Sequence, residues 1–157
     1  MAGKTNAVRL VEQAGIPCRE SFYEYDEKDL NGNHAAAAIG MPPEQVFKTL
    51  VARGEKTGIH VFCIPVCCEL DLKKAAKAVG DKKIEMVAVK ELLGLTGYIR
   101  GGCSPVGMKK HYPTWMDETA QLWDEIAVSA GARGHQLILP PDQLVQFINA
   151  KYADIIL

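Results

Sequence analysis

Apolar residues recur along this chain with two different periods, and the periods separate helices from strands. Between Thr5 and Gly15 the apolar positions follow helical spacing, which predicts a first helix that Thr5 caps and Gly15 ends. Asp71 can cap another helix whose inner face would carry Leu72, Ala75, Ala76 and Val79. Shorter helices are predicted over 33–39 and 89–93, and Pro140-Pro141 opens a last helix.

The remaining apolar runs are short and rich in β-branched and aromatic residues, a pattern typical of strands. Strands are predicted over 19–25, 47–53, 59–64, 83–87, 97–100, 112–116, 126–129 and 136–139. The Gly-containing loop 54–58 indicates a hairpin between the second and third of these. Short strands interrupted by small helices favour an α+β domain with a mixed or closed sheet, and their irregular spacing argues against a doubly wound fold.

Composition limits the class of protein. A chain of 157 residues with 48% apolar and 24% charged residues fits one globular domain over residues 1–157. The net charge of −1 cannot hold nucleic acid through bulk electrostatics, so an RNA partner would need a local patch or an accompanying protein. No long apolar run or signal-peptide pattern is present, and we expect a soluble cytoplasmic protein without membrane contact.

Cysteine usage raises the question of a metal site. The count of five is odd and unevenly spaced, which argues against a disulfide framework. Cys63 and Cys67 have a tolerable spacing for a metal pair, with His60 nearby, but no second pair follows at the spacing of a zinc site. We therefore predict reduced thiols, no metal and no cofactor.

Lys48 is the most unusual residue, because it is a lone cation in the otherwise mostly apolar run 46–52. Both faces of this strand are apolar enough to be buried, so the pattern does not fix the direction of the side chain. Three interpretations remain open at this point. The lysine can extend to the surface, anchor a substrate, or act as a base or nucleophile of lowered pKa.

Two Gly-rich turns are further candidates. In the segment Gly101–Gly107, glycines and a proline would let backbone N–H groups converge on a ligand oxygen, although such turns are often only connections. The turn over 128–134 allows the same two interpretations. Pairing of Ser104 or Cys103 with a histidine, as in a hydrolase, lacks a supporting motif. The lysines at 73, 74, 77, 82 and 83 form either a solvated face or a patch for RNA phosphates.

The ordered landmarks resemble the YbaK/EbsC family of aminoacyl-tRNA deacylases, the Cys-tRNA(Pro) deacylases of the prolyl-tRNA synthetase editing-domain superfamily. They are Phe47-Lys48-Thr49-Leu50, the segment 69–76, Lys82-Lys83-Ile84-Glu85-Met86, Thr96-Gly97-Tyr98, Gly101–Gly107, Val128-Ser129-Ala130-Gly131 and Arg133-Gly134. The resemblance extends from Lys4 to Ile155 and implies a mixed, mostly antiparallel barrel-like sheet flanked by helices.

The resemblance also implies an activity and its residues. Lys48 matches the essential lysine of the family, Tyr23 a tyrosine that lines the pocket, and Gly101–Gly107 the loop that cradles the terminal adenosine and ester. On this basis we predict Lys48 as the catalytic residue. The predicted substrate-binding residues are Tyr23, Thr49, Gly101, Gly102, Ser104, Pro105, Ser129 and Gly131. Some relatives have an aspartate near residue 136, where this chain has Gln136.

The implied function is trans-editing: hydrolysis of the ester in mischarged Cys-tRNA(Pro), assisted by the thiol of the substrate. The implied partners are the 3′ end of aminoacyl-tRNA and prolyl-tRNA synthetase. Two alternatives stay open, which are editing of another mischarged tRNA such as Ala-tRNA(Pro) and noncatalytic binding of a nucleotide or RNA end on the same scaffold. The oligomeric state cannot be read from the sequence.

Overall fold

A computed structural model describes residues 4–157 as five α-helices and eight strands. In chain order the elements are α1 (Asn6–Gln13), β1 (Arg19–Phe22), α2 (Gly32–Ile39), β2 (Phe47–Gly54), β3 (Gly58–Pro65), α3 (Leu72–Val79), β4 (Ile84–Met86), α4 (Val89–Thr96), β5 (Thr114–Asp117), β6 (Ile126–Ala132), β7 (His135–Leu139), α5 (Pro141–Phe147) and β8 (Lys151–Ala153). Short 3₁₀ turns at Pro43–Gln45 and Glu118–Leu122 complete the list.

α1 begins at its predicted cap Thr5 and α3 at its predicted cap Asp71, whereas α4 extends to Thr96 and is longer than predicted. The Thr5 hydroxyl accepts a hydrogen bond from the Val8 N–H at 3.2 Å, and the Asp71 carboxylate accepts from the N–H groups of Lys73 and Lys74. Gly80 ends α3 in the left-handed conformation. One detail of the prediction for α3 is wrong. Leu72 is 41% exposed because it occupies the first helical position, ahead of the turn that packs on the sheet.

The strands form two sheets. One is antiparallel with the order β1-β7-β6, and the other is mixed with the order β4-β2-β3-β5-β8, in which β3-β5 and β5-β8 are parallel. The prediction of an α+β fold with mixed, mostly antiparallel pairing is confirmed. The barrel-like description needs one refinement: the two sheets do not close into a barrel.

The two sheets meet at the start of β2, where Val46 and Ala127 form a parallel bridge. Behind this junction both sheets contribute to one hydrophobic core that α1 and α5 cover. Its members include Phe47, Cys63 and Met116 from the mixed sheet and Val128, Leu137 and Leu139 from the antiparallel sheet. A second core cluster packs α3 onto the other face of β2 and β3.

The set of strands differs from the sequence-based prediction in two places. The strand expected over 97–100 is absent, because Gly97 ends α4 at φ 83° and the chain turns, with the Gly102 N–H donating to the Ile99 carbonyl. The short strand β8 was not predicted, because its three residues show no alternation of apolar and polar positions. It follows Asn149, a residue of positive φ. Within residues 4–157 no helix is long and apolar enough to cross a membrane.

Candidate substrate cavity

A cavity of about 890 Å³ lies beside β2. Residues of both sheets and of the loops next to them form its walls. The segment before α2 and the first residues of that helix form one wall, and the β4–α4 connection forms another. The rest of the lining consists of residues 66–69 after β3, the Arg100–Gly101 turn, Ser129 of β6 and Gln136 of β7. The volume suits a ligand of nucleotide size.

The edge of β2 is open where it meets this cavity. β4 pairs only with Ala52–Gly54, and the Val87 N–H donates to the Val51 carbonyl. Because main-chain groups alternate in direction along a strand, the N–H and C=O of Thr49 point to the same side as those of Val51, away from β3. The bridge at Val46 occupies the other end of this edge. The backbone of Thr49 therefore faces the cavity between two paired regions.

Lys48 is partly buried in the cavity wall, opposite Ile64 of β3. The wall also carries the cations Lys28 and Arg100 and the carboxylates Asp29 and Glu69. Within the described part of the chain none of these five forms a salt bridge. Lys48 is therefore a charge held at the cavity without a carboxylate partner, which suits contact with an anionic or strongly polar ligand.

Two cysteines stand next to Lys48 on the same wall. The sulfurs of Cys67 and Cys68 are 3.9 Å apart. Partial burial raises the pKa of the Cys68 thiol to about 11, and the positive charge of Lys48 acts weakly in the opposite direction. Cys68 is consequently a thiol and not a thiolate at neutral pH. No histidine lines this cavity in residues 4–157 to act as its base.

Cys63 and Cys103 are buried thiols. Burial raises the pKa of Cys63 to about 12 and that of Cys103 to about 11. Cys63 lies within β3, and its sulfur contacts the Thr49 hydroxyl at 3.9 Å. It therefore belongs to the hydrophobic core behind the sheet. Among residues 4–157 no group of three or more ligand side chains is placed to hold a metal ion.

The far wall of the cavity comes from the antiparallel sheet. Ser129 and Gln136 are paired across β6 and β7, and both are more than nine-tenths buried. The Ser129 hydroxyl oxygen accepts from the Gly131 N–H at 3.2 Å within the bulge that follows Ser129. Tyr23 continues from β1 and is anchored by its N–H to the Gly134 carbonyl at 2.9 Å. These contacts fix the position of the wall.

Known proteins resemble this chain over most of its length. Residues 32–147 match the aminoacyl-tRNA editing domain. EbsC of Enterococcus faecalis, provisionally named a Cys-tRNA(Pro)/Cys-tRNA(Cys) deacylase, is 49% identical over 97% of this chain and 93% of its own length. This chain belongs to the aminoacyl-tRNA editing domain family. Family membership makes aminoacyl-tRNA the substrate class and hydrolysis of its ester the reaction, as the resemblance in the sequence predicted.

Two solved structures share the fold of this chain. A crystal structure described provisionally as a trans-editing enzyme for prolyl-tRNA synthetase matches with a TM-score of 0.81, 26% identity and 99% coverage of both chains. The structure of protein APE2540 matches with a TM-score of 0.86 over 96% of this chain and 98% of its own, at 21% identity, which is a likeness of fold alone.

The structure brings together five of the nine predicted site residues of this editing domain. Lys48, Thr49, Tyr23, Gly101 and Ser129 all line the cavity. Gly102, Ser104, Pro105 and Gly131 do not. Their predicted contact with substrate therefore has no support in the geometry of this cavity, and the roles of the first five stay predictions.

The four residues off the wall lie in the turns that follow Gly101 and Ser129. Ser104 is fully buried, and its hydroxyl oxygen accepts from the Val106 N–H at 3.2 Å. Pro105 lines a smaller cavity of about 170 Å³ on the side of α1 and α5. A Cβ on Gly131 would approach the Tyr98 ring to 3.0 Å. Ser104 and Gly131 therefore take part in the packing of the turns that follow Gly101 and Ser129.

Sequence reasoning missed the contribution of α2 to the cavity. Asn31 caps this helix by accepting from the Asn33 N–H, and both residues line the cavity. Gly32 is needed there because a Cβ would meet the Val66 side chain at 2.5 Å. The Asn-Gly-Asn pattern marks a turn, but nothing in it shows that the turn faces a residue far along the chain.

Proposed function

We propose that this chain is a trans-editing deacylase that hydrolyses the ester of mischarged Cys-tRNA(Pro). The observation that carries the proposal is Lys48, a partly buried cation without a carboxylate partner in the wall of a nucleotide-sized cavity. The name of the relative EbsC and the description of the trans-editing structure support the choice of amino acid and tRNA. Such a second site is useful because a synthetase pocket discriminates near-isosteres such as cysteine and proline only weakly.

Lys48 binds the terminal nucleotide or the ester in this proposal and does not act as a base. Its ammonium would hold an anionic or carbonyl oxygen, while backbone N–H groups at the wall stabilise the charge that develops on the carbonyl. The open edge at Thr49 and the exposed Gly101 are the donors that we assign, since the Gly102 N–H is already used by Ile99. Tyr23 and Ser129 complete the contacts with the substrate.

Attack by the thiol of the substrate best fits the chemistry of the wall. The sulfur attacks the ester carbonyl, the C–S bond forms, the ester C–O bond breaks and the ribose hydroxyl leaves with a proton; water then opens the thiolactone to free cysteine. Proximity within one aminoacyl group makes this step favourable. The alternative nucleophile, Cys68, has a raised pKa and no histidine beside it on the wall.

The first test replaces Lys48 by alanine. We expect Lys48→Ala to lower kcat/KM for Cys-tRNA(Pro) by about 100-fold or more, the size of effect seen when one preorganised electrostatic contact is removed. Lys73→Ala, on the exposed face of α3, is the matched control and should leave the rate unchanged. Circular dichroism of both variants checks the fold. A folded Lys48→Ala protein with wild-type activity would contradict the proposal.

A second test separates the two nucleophiles. If the thiol of the substrate attacks, Ser-tRNA(Pro) should be a far poorer substrate than Cys-tRNA(Pro), and the double variant Cys67→Ser/Cys68→Ser should keep its activity. Equal hydrolysis of both esters would indicate attack by water. Charged Ala-tRNA(Pro) and Cys-tRNA(Cys) in the same assay test the other specificities. No deacylation of any charged tRNA would point to a noncatalytic binding protein.

We further propose prolyl-tRNA synthetase as the partner and the cytoplasm as the location. With a net charge of −1, the chain needs another protein to recognise the identity of the tRNA. Adding the synthetase should raise the preference for Cys-tRNA(Pro) over Cys-tRNA(Cys) in a deacylation assay. An unchanged preference would argue against the complex.

A further inference from the structure

Gln136 carries a polar atom that the protein leaves without a partner. Its side chain is 6% exposed, and Oε1 has no hydrogen-bond partner within residues 4–157. A buried acceptor without a partner costs stability, so its retention calls for an explanation outside the free protein. Gln136 lies in the centre of the antiparallel sheet, between Ser21 of β1 and Ser129 of β6.

The position of this atom distinguishes it from the other unpartnered groups. His60 Nδ1 and Trp115 Nε1 are also buried without partners, but neither residue lines the large cavity. Gln136 does line it, beside Ser129. Among the described residues, Gln136 is therefore the one side chain with a buried unpartnered atom that also lines the cavity. Oε1 itself is enclosed in the free protein, and a half-turn of the amide about the Cγ–Cδ bond would present it to the cavity in place of Nε2.

We propose that Gln136 is a specificity-determining residue that accepts a hydrogen bond from the α-ammonium group of the aminoacyl ester. This inference rests on the proposed deacylase function and names a contact within it. The neutral amide would hold the α-carbon beside the scissile carbonyl, so it orients the ester without forming a tight ion pair.

The distribution of charge favours the ammonium over other donors. The cations Lys28, Lys48 and Arg100 outnumber the carboxylates Asp29 and Glu69 on the lining, and this excess of positive charge suits the phosphates of the terminal nucleotide. The buried wall of Ser129 and Gln136 is uncharged, and an amide oxygen there is a strong acceptor. The ammonium is the strongest donor of an aminoacyl ester, and a hydrogen bond to a charged group contributes more than one between neutral groups.

The experiment compares two esters of tRNA(Pro) on three proteins. The substrates are Cys-tRNA(Pro) and 3-mercaptopropionyl-tRNA(Pro), which has the same thiol and ester but no amino group. The proteins are wild type, Gln136→Met and Gln136→Glu, with Gln121→Met on the surface as the matched control. Rates are measured below and above KM, and thermal unfolding is followed for every protein.

We expect Gln136→Met to lower kcat/KM for Cys-tRNA(Pro) by about 10- to 100-fold, the value of one hydrogen bond to a charged group. The same variant should hydrolyse the 3-mercaptopropionyl ester at the wild-type rate, because that ester has no ammonium to lose. Gln136→Glu keeps an acceptor and should retain activity on Cys-tRNA(Pro). The melting temperature of Gln136→Met should equal or exceed that of wild type, since no internal hydrogen bond is removed.

The outcomes separate the inference from the function on which it rests. Equal losses on both esters, or a lower melting temperature with equal losses, would show that Gln136 acts elsewhere or only in packing, and would overturn the inference. Unchanged kcat/KM in Gln136→Met would overturn it as well. A wild-type protein that hydrolyses neither ester would instead refute the proposed function.

Discussion

At the scale of single residues, the loop beside the cavity depends on how closely two stretches of backbone approach each other. A Cβ placed on Gly102 would lie 3.1 Å from the Arg133 backbone nitrogen and 3.2 Å from the Ala132 carbonyl carbon. The φ of Gly102 is not positive, so the need for glycine comes from space and not from backbone conformation. The Arg133 guanidinium also donates to the Arg100 carbonyl at 2.9 Å and holds the same turn.

This contact makes Gly102→Ala an expected loss of stability. We predict a decrease of about 1–3 kcal/mol in the free energy of unfolding, the usual cost of overpacking. Gly94→Ala in α4 is the control, because a Cβ there meets nothing within 4 Å. It should be more stable than wild type by about 0.5–1 kcal/mol, since alanine favours a helix. Urea denaturation measures both, and a neutral Gly102→Ala would show that the two backbones can separate freely.

The sequence alone could not predict the direction in which the Lys48 side chain points. Its strand has two apolar faces, and alternation alone could not say which one was accessible. The cavity opens at the edge of β2, where β4 has stopped pairing, so Lys48 and Thr49 both reach it although they alternate in direction. The end of the β4 pairing depends on residues about 35 positions away in sequence. The local pattern around Lys48 therefore does not predict which part of β2 is left open.

At the scale of elements, the β2–β3 hairpin is tied to the end of α3 by one carboxylate. Asp81 accepts from the backbone N–H groups of Lys56 and Thr57 and from the Thr57 hydroxyl, the last at 2.7 Å. The Thr57 hydroxyl and the Lys56 N–H together hold the pKa of Asp81 well below its usual value. The hairpin loop and the start of β4 are therefore joined through an ionised side chain.

The lowered pKa predicts a dependence of stability on pH. The contribution of Asp81 is complete above the pKa of an unfolded aspartate, about 3.9, and is lost as the pH falls from there toward the lower folded value. Asp81→Asn should therefore have a lower melting temperature than wild type at pH 7, and the difference should narrow below about pH 4. Asp124→Asn, at an exposed carboxylate, should show no such trend. Parallel curves for Asp81→Asn and wild type would contradict the assignment.

Helices were the most predictable elements because their signals are local. Thr5, Asp71 and Gly80 mark helix ends through side-chain caps and left-handed glycine, and all three are confirmed. The false strand over 97–100 has the β-forming residues Tyr98 and Ile99, but glycines on both sides impose turns that override propensity. The missed strand β8 is three residues long and depends on its partner β5.

At the scale of the whole molecule, charge determines how the protein can meet RNA. The overall charge nearly cancels, and the lysines of α3 and of the segment after it are partly neutralised, since Lys74 pairs with Asp154 and Lys83 with Glu85. The cations that remain at the cavity are Lys28, Lys48 and Arg100. We therefore expect RNA that binds at this cavity to be held by a few contacts at its 3′ end.

This count predicts weak binding that is sensitive to salt. Three phosphate contacts on a single strand give a slope of about −2 in a plot of log K against log salt, and Lys48→Ala should reduce it by about 0.7. Fluorescence anisotropy with a labelled oligonucleotide ending in CCA measures both slopes. Nanomolar affinity at physiological salt would show that a larger surface is involved.

The strand β2 has one more consequence, which concerns cooperativity. It is bridged to the antiparallel sheet at Val46, pairs along its length with β3, and contributes Phe47 to the core that both sheets share. Opening either sheet would expose the apolar surface of the other, so neither has a stable partly unfolded form of its own. Lys48 is thereby attached to the segment whose amide hydrogens should exchange last, and we expect the cavity wall around it to persist until the molecule unfolds as a unit.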